Sequence, residues 1–117
     1  MIYTSYFSSG AYDPKDGVSI ARYVNFPIAD VCSELYPSEN LLMWWKSLSK
    51  EEQKLESNQD MFIEAYHKEV LDNLDVNIIA EKLNNKVLLC YEKSTDFCHR
   101  YIVAKWLRDN GYDCEEL

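Results

Sequence analysis

Residues 87–91, "VLLCY", place five apolar side chains in a row. Successive side chains of a strand point to opposite faces, so a strand with one wet face alternates polar and apolar residues. An unbroken run needs cover on both faces, which is the habit of strands with parallel neighbours in a sheet packed on each side. The chain therefore reads as α/β: a single small three-layer domain over residues 1–117, with a short, mostly parallel sheet and flanking helices.

The rest of the chain supplies elements of the right length. "MIYTSYF" is aromatic and β-favouring and breaks at Ser8, Ser9 and Gly10, a strand followed by a turn. "GVSIARYV" is a second strand, with Val18 and Ile20 alternating against Ser19 and Ala21. About ten residues join the two, near the lower limit for a parallel crossover, so the pairing leans parallel and stays open. Residues 25–40 carry Pro27 and Pro37 without periodicity and read as irregular. "LLMWWKSL" is a short helix whose adjacent tryptophans cannot both face one core.

Ser49 and Glu52 have capping-box spacing ahead of a polar helix. In "DMFIEAYHKEVLDNL", Phe62, Tyr66, Val70 and Leu74 recur every four residues, the mark of an amphipathic helix over 60–74. Asp75 can cap a shorter helix, and Asn84 and Asn85 turn the chain into the 87–91 strand. A final helix runs from about Phe97 to Asn110, with Gly111 at the left-handed position, and Tyr112 and Cys114 suit a last short strand.

Charge narrows the functions. Twelve basic against twenty acidic residues give a formal charge of -8, which disfavours nonspecific binding to nucleic acid or to an anionic membrane surface. No stretch approaches the length of a membrane span, and "MIYTSYFSSG" lacks a secretory pattern, so the expectation is a soluble, cytoplasmic protein. Reduced thiols are then the default for Cys32, Cys90, Cys98 and Cys114. Nine tyrosines and three tryptophans on an acidic chain also suit a surface that docks a protein partner.

Chemistry concentrates in "KVLLCYEKSTDFCHR", residues 86–100. In open α/β sheets ligands gather beyond the carboxyl ends of the strands, which is where this stretch lies. Cys90 and Glu92, two apart on an extended strand, share a face. If Asp96 or Thr95 caps the last helix, Cys98 and His99 fall in its first turn, where free amides and the helix dipole favour a thiolate or a bound anion. Arg100 can make a two-pronged contact with such an anion, and Arg22 reaches the same edge if the strands run parallel.

Each of these residues has a plainer reading. On the helical wheel His99 joins Ile102, Val103, Trp106 and Leu107 on the inward face, where it need only hydrogen-bond a carbonyl. Cys90 and Cys98 can be buried core residues, and Glu92 can reach solvent or pair with an arginine. Metal binding by Cys90, Glu92, Cys98 and His99 has suitable ligand types, yet the spacing fits neither structural zinc nor a His-rich catalytic set, so no metal and no cofactor is expected. A phosphatase-type loop would need arginine six residues after Cys90, where Asp96 stands.

"VLLCYEKSTDFCHRYIVAKWL" followed by "GYDCEEL" resembles the end of proteins in the family named domain of unknown function 488. Its hallmark is a buried strand ending in Leu-Cys-x-Glu and then Cys-His-Arg opening a helix. "MIYTSYF", the strand ending near Arg22, "LYPSENLL" and "YHKEVLDNLD" are similar to that family's pattern as well. The resemblance implies a compact α/β fold and marks Cys90, Glu92, Cys98, His99 and Arg100, with Arg22 as a looser match. It implies no reaction. The chain departs from the pattern at "YVNFPIADVCSELY", residues 23–36, where a Gly- or Pro-rich turn is usual.

Two functions compete. One is an enzyme on a small anionic ligand or nucleotide, with Cys98 as nucleophile or redox thiol, Glu92 as acid or base, His99 as proton carrier, and Arg22, Arg100 and Cys90 lining the ligand. The other is a noncatalytic module that sequesters such a ligand or docks on a protein partner.

Overall fold

β1 (Ile2–Tyr6), β2 (Gly17–Ser19), β3 (Asp30–Val31), β4 (Val87–Cys90) and β5 (Cys114–Glu116) form one sheet in the order β3-β2-β4-β1-β5. The structure is a computed structural model and describes residues 1–93 and 96–117. All four strand pairings are parallel, as the apolar run in β4 requires. β1 and β2 are not neighbours: β4 lies between them, in register through Thr4, Leu88 and Val18. The short link from β1 to β2 manages this crossover with two 3₁₀ turns, Phe7–Ser9 and Pro14–Asp16.

Alternate residues of the strands serve two different layers. Val18 and Leu88 join the larger core with residues of α1 (Glu39–Ser47), α3 (Glu56–Glu69), α4 (Val76–Lys82) and α5 (His99–Asp109). Val87 and Leu89 face the other way, against Phe7, Tyr12, Val24 and Ile28. The third layer is therefore made of turns and loops, while the first is helical. Gly17 is fitted to it: a Cβ there would lie 2.9 Å from Leu89 Cδ1 and 3.2 Å from the Tyr12 ring.

The caps fall where the side chains put them. Ser49 and Glu52 form the capping box of α2 (Lys50–Lys54), and Asp75 accepts from the amides of Asn77 and Ile78 at the start of α4. Gly111 has φ 88° and Asn85 φ 64°, the left-handed positions that end α5 and turn into β4. Of the two tryptophans, Trp45 is buried and Trp44 is half-buried at the rim.

Elsewhere the boundaries move. The amphipathic helix starts at Glu56 and stops at Glu69, and a 3₁₀ turn over Leu71–Asn73 carries the pattern onward. β2 ends at Ser19, because its hydroxyl accepts from the Ala21 amide (3.1 Å) and donates to the Ala21 carbonyl (3.2 Å), which curls the chain off the sheet. β3 arises inside the segment expected to be irregular; its two exposed residues carry no pattern to read. Among the described residues no helix is long and apolar enough to cross a membrane.

Tyr66 locks the route from β3 into the helices. Its ring is fully buried and its hydroxyl donates to the Leu35 carbonyl at 2.5 Å. Tyr66→Phe removes that donor without opening a cavity and leaves a buried carbonyl unpaired, so urea unfolding is expected to show a loss of about 1–3 kcal/mol. An unchanged midpoint would show that the carbonyl finds another partner.

Candidate functional site

β2 and β4 are neighbours, and the chain leaves them in opposite directions, from β2 to the β3 edge and from β4 towards β5. Such a divergence opens a crevice at the carboxyl ends of the strands. A pocket of about 80 Å³ lies there, lined by Ala21, Arg22 and Tyr23 after β2 and by Cys90, Tyr91 and Glu92 at the end of β4. Lys46 of α1 and His99 of α5 complete its chemical lining. A larger groove of about 370 Å³ shares Lys46 and Glu92 and adds Lys50, Lys54 and Asp96.

Tyr23 lines the pocket, and Asn25 and Phe26 brace the segments beside it. Phe26 packs on Phe7 and Phe7 on Tyr91, with ring centroids 5.5 and 4.6 Å apart. The amide of Asn25 donates to the Tyr91 hydroxyl at 2.6 Å, tying the loop after β2 to the loop after β4. Arg22 is half-buried, with its Nε donating to the Pro37 carbonyl at 3.0 Å and its guanidinium over the Tyr36 ring.

Arg100 belongs beneath the pocket. It is completely buried, and its five N–H donors all have partners. Nε donates to Glu116 Oε1 (3.0 Å) and Nη2 to Glu116 Oε2 (2.9 Å), a two-pronged ion pair with the last strand. Nη2 also donates to the Tyr101 hydroxyl (2.9 Å), and Nη1 to the Glu92 carbonyl (2.6 Å) and Cys90 Sγ (3.1 Å). The anion that Arg100 holds is thus a carboxylate of its own chain. Glu116 was missed in the sequence, although it shares a strand face with the buried Cys114, and an inward carboxylate asks for a partner.

α5 begins at His99, two residues later than expected, with Cys98 as its N-cap and no capping bond from that side chain. Asp96 lies in the loop before it and Thr95, the other expected cap, lies outside the described residues. Cys98 meets Cys90 at the end of β4, and the two form a disulfide. This corrects the expectation of reduced thiols for that pair. Cys32 and Cys114 are free and buried, and burial pushes both thiols up to about 11, which makes them poor nucleophiles. β4 ends at Cys90, so Glu92 sits beyond the strand and is exposed at the junction of pocket and groove.

His99 faces inward as the wheel indicates, with Nε2 2.8 Å from the Ile20 carbonyl. A carbonyl can only accept, so Nε2 carries the proton and Nδ1 presents a lone pair. That lone pair lies 3.9 Å from Cys98 Sγ. Burial, with the charge of Arg100 adding to it and the Ile20 bond opposing, lowers the histidine to about 4. At neutral pH the ring is an uncharged acceptor. Cys90, Glu92, His99 and Arg22 therefore share the pocket, while Cys98 and Arg100 form the layer behind it.

Two measurements check this arrangement. Glu116→Gln leaves the buried guanidinium without its counter-charge; because Glu116 is a quarter exposed, the expected loss in urea is on the order of 2–3 kcal/mol, below that of a wholly buried pair. For His99 the folded value lies below the unfolded one near 6.5, so the unfolded chain binds the extra proton first. Stability from this residue is full above about pH 6.5 and falls as pH drops towards 4. His99→Gln keeps a donor for Ile20 and should flatten that part of the pH–stability curve; an unchanged slope would assign it to other groups.

No curated protein and no solved structure matches the chain. The family model DUF488-N3a, described as the active DUF488-N3 subclade, matches residues 14–111. That span holds Arg22, Cys90, Glu92, Cys98, His99 and Arg100, and it covers most of the chain: the protein belongs to the DUF488 family, in its DUF488-N3a group.

Proposed function

We propose that the protein is an enzyme acting on a small anionic metabolite or nucleotide bound at the carboxyl ends of β2 and β4. The observation that carries this is the convergence of Arg22, Lys46, Cys90, Glu92 and His99, from three distant parts of the sequence, on one small pocket. Charge supports it further. Four of the twelve basic residues, Arg22, Lys46, Lys50 and Lys54, line the pocket and its groove in a chain of net charge -8. Such a cluster focuses anions locally against the field of the whole molecule. The word "active" in the family's description also favours catalysis.

Roles follow from position. Arg22 and Lys46 hold the anion, and the exposed Glu92 carboxylate serves as acid or base at its edge. Cys90 and His99 form the floor, with Cys98 behind them as the sulfur partner of Cys90. Once the pair is reduced, the N–H from Arg100 favours the thiolate of Cys90. A noncatalytic module that sequesters the same ligand is the second reading, favoured by the disulfide that occupies both sulfurs.

Thermal-shift and calorimetric titrations with AMP, ATP, ribose 5-phosphate and inorganic phosphate test the pocket. At least one should raise the melting temperature. Arg22→Ala and Lys46→Ala should each weaken it about tenfold or more, as expected for a charge-assisted contact of about 1.5–3 kcal/mol, while Lys105→Ala on the far face of α5 leaves it unchanged. No shift with any probe, or binding untouched by Arg22→Ala, would sink the proposal. Turnover of the bound probe by the reduced protein separates the enzyme from the sequestering module.

A further inference from the structure

Three donor atoms meet at the floor of the pocket. Cys90 Sγ, Cys98 Sγ and a ring nitrogen of His99 lie within 4.8 Å of one another, all buried. They come from the end of a strand, the N-cap of a helix and the first residue of that helix. Sequence spacing hides the set because Cys98 and His99 are adjacent and Cys90 precedes them by eight residues, unlike a Cys-x-x-Cys pair.

The histidine is already oriented as a ligand. Its Nε2–H is spent on the Ile20 carbonyl, the second contact that fixes the tautomer of metal-bound imidazoles, and Nδ1 is left facing the sulfurs. Its distance of 3.9 Å from Cys98 Sγ is close to the roughly 3.6 Å separating nitrogen and sulfur on one tetrahedral zinc. The Cα atoms of Cys90 and Cys98 are 7.4 Å apart, beyond the about 4.4–6.8 Å usual for disulfides. The backbone thus has room for the sulfurs to part to the roughly 3.8 Å that two thiolates on one zinc require.

Cys98 also gives up a useful alternative. Serine, threonine, aspartate or asparagine at an N-cap would bond a free amide and add about 1 kcal/mol, whereas Cys98 makes no such bond. A local rule broken at one position is expected where function occupies it. Arg100 adds an N–H to Cys90 Sγ, the kind of contact that supports a metal-bound thiolate.

We infer that the reduced protein binds one zinc-class divalent cation through Cys90 Sγ, Cys98 Sγ and His99 Nδ1, with the fourth coordination position open to the pocket. Two thiols bind the ion as thiolates and release two protons; the disulfide form cannot bind it, so the two states exclude each other. Two sulfurs and one imidazole select zinc over magnesium or calcium, and three protein ligands with an open position are the pattern of catalytic rather than structural zinc. Because Cys90 and His99 line the pocket, that position lies beside Arg22 and Glu92. Only this last point rests on the proposed function; the ion site stands without it.

The test uses the full chain, tag-free, opened with a water-soluble phosphine, which takes oxygen from water as the disulfide gains two electrons and two protons. Elemental analysis after zinc loading and gel filtration should give about one zinc per chain. Cobalt substitution should give the intense visible bands of a tetrahedral site with thiolate-to-metal charge transfer in the near ultraviolet. Cys98→Ser and His99→Gln should lose the charge-transfer intensity or the tight binding, with circular dichroism reporting the fold, whereas Cys32→Ser and Cys114→Ser keep both. Trace zinc on fully reduced wild type, a cobalt spectrum without charge transfer, or binding unchanged in Cys98→Ser would each overturn the inference. Anion binding at Arg22, measured separately on the metal-free protein, tells that result apart from a failure of the pocket itself.

Discussion

A guanidinium taken wholly out of water organises the carboxyl edge of this sheet. Burying one without partners would cost several kcal/mol, so the site of Arg100 is stable only while all five N–H groups are engaged. Its partners come from the end of β4, the turn after it, the first turn of α5 and the last strand. Meeting that demand fixes where α5 starts, how the turn passes over β4 and where β5 is held against β1. The neighbouring histidine inherits its place: with Arg100 pinned, His99 can point only towards Ile20 and the sulfurs.

Division of labour between the two arginines follows from this constraint. Arg100 has no donor left for a ligand, since Glu116, Tyr101, Glu92 and Cys90 take them all. Arg22 uses one donor on the Pro37 carbonyl and lines the pocket itself. Around it Lys46 of α1 and Lys50 and Lys54 of α2 line the groove. The net charge of -8 is thus unevenly spread, with a local cluster of basic residues at the groove.

The parts of the fold legible in the sequence are those written by short-range rules. The apolar run of β4 announces a doubly covered parallel strand, Ser49 and Glu52 a capping box, and Gly111 the end of α5. The inward face of His99 is legible from helical periodicity. Contacts between distant segments are not written that way. Glu116 meeting Arg100, Tyr66 meeting Leu35 and Asn25 meeting Tyr91 join residues 16, 31 and 66 apart. β3 is invisible because its two residues borrow their geometry from β2, and the turns of the third layer are invisible because aromatic cover by Phe7 and Tyr12 has no period.

The motif Cys-His-Arg is best understood as three residues with three directions. Successive residues of a helix lie about 100° apart around its axis, so Arg100 reaches sideways to β5, His99 points to the Ile20 carbonyl just past β2, and Cys98, not yet in the helix, reaches the end of β4. No single ligand could touch all three. Their adjacency instead lets one helix start be tied at once to β5, to the end of β4 and to the residue after β2, which holds a sulfur and an imidazole nitrogen in fixed relation. The strand-end Cys90 completes the floor from below, and the chemistry of the site depends on what those three atoms share between them.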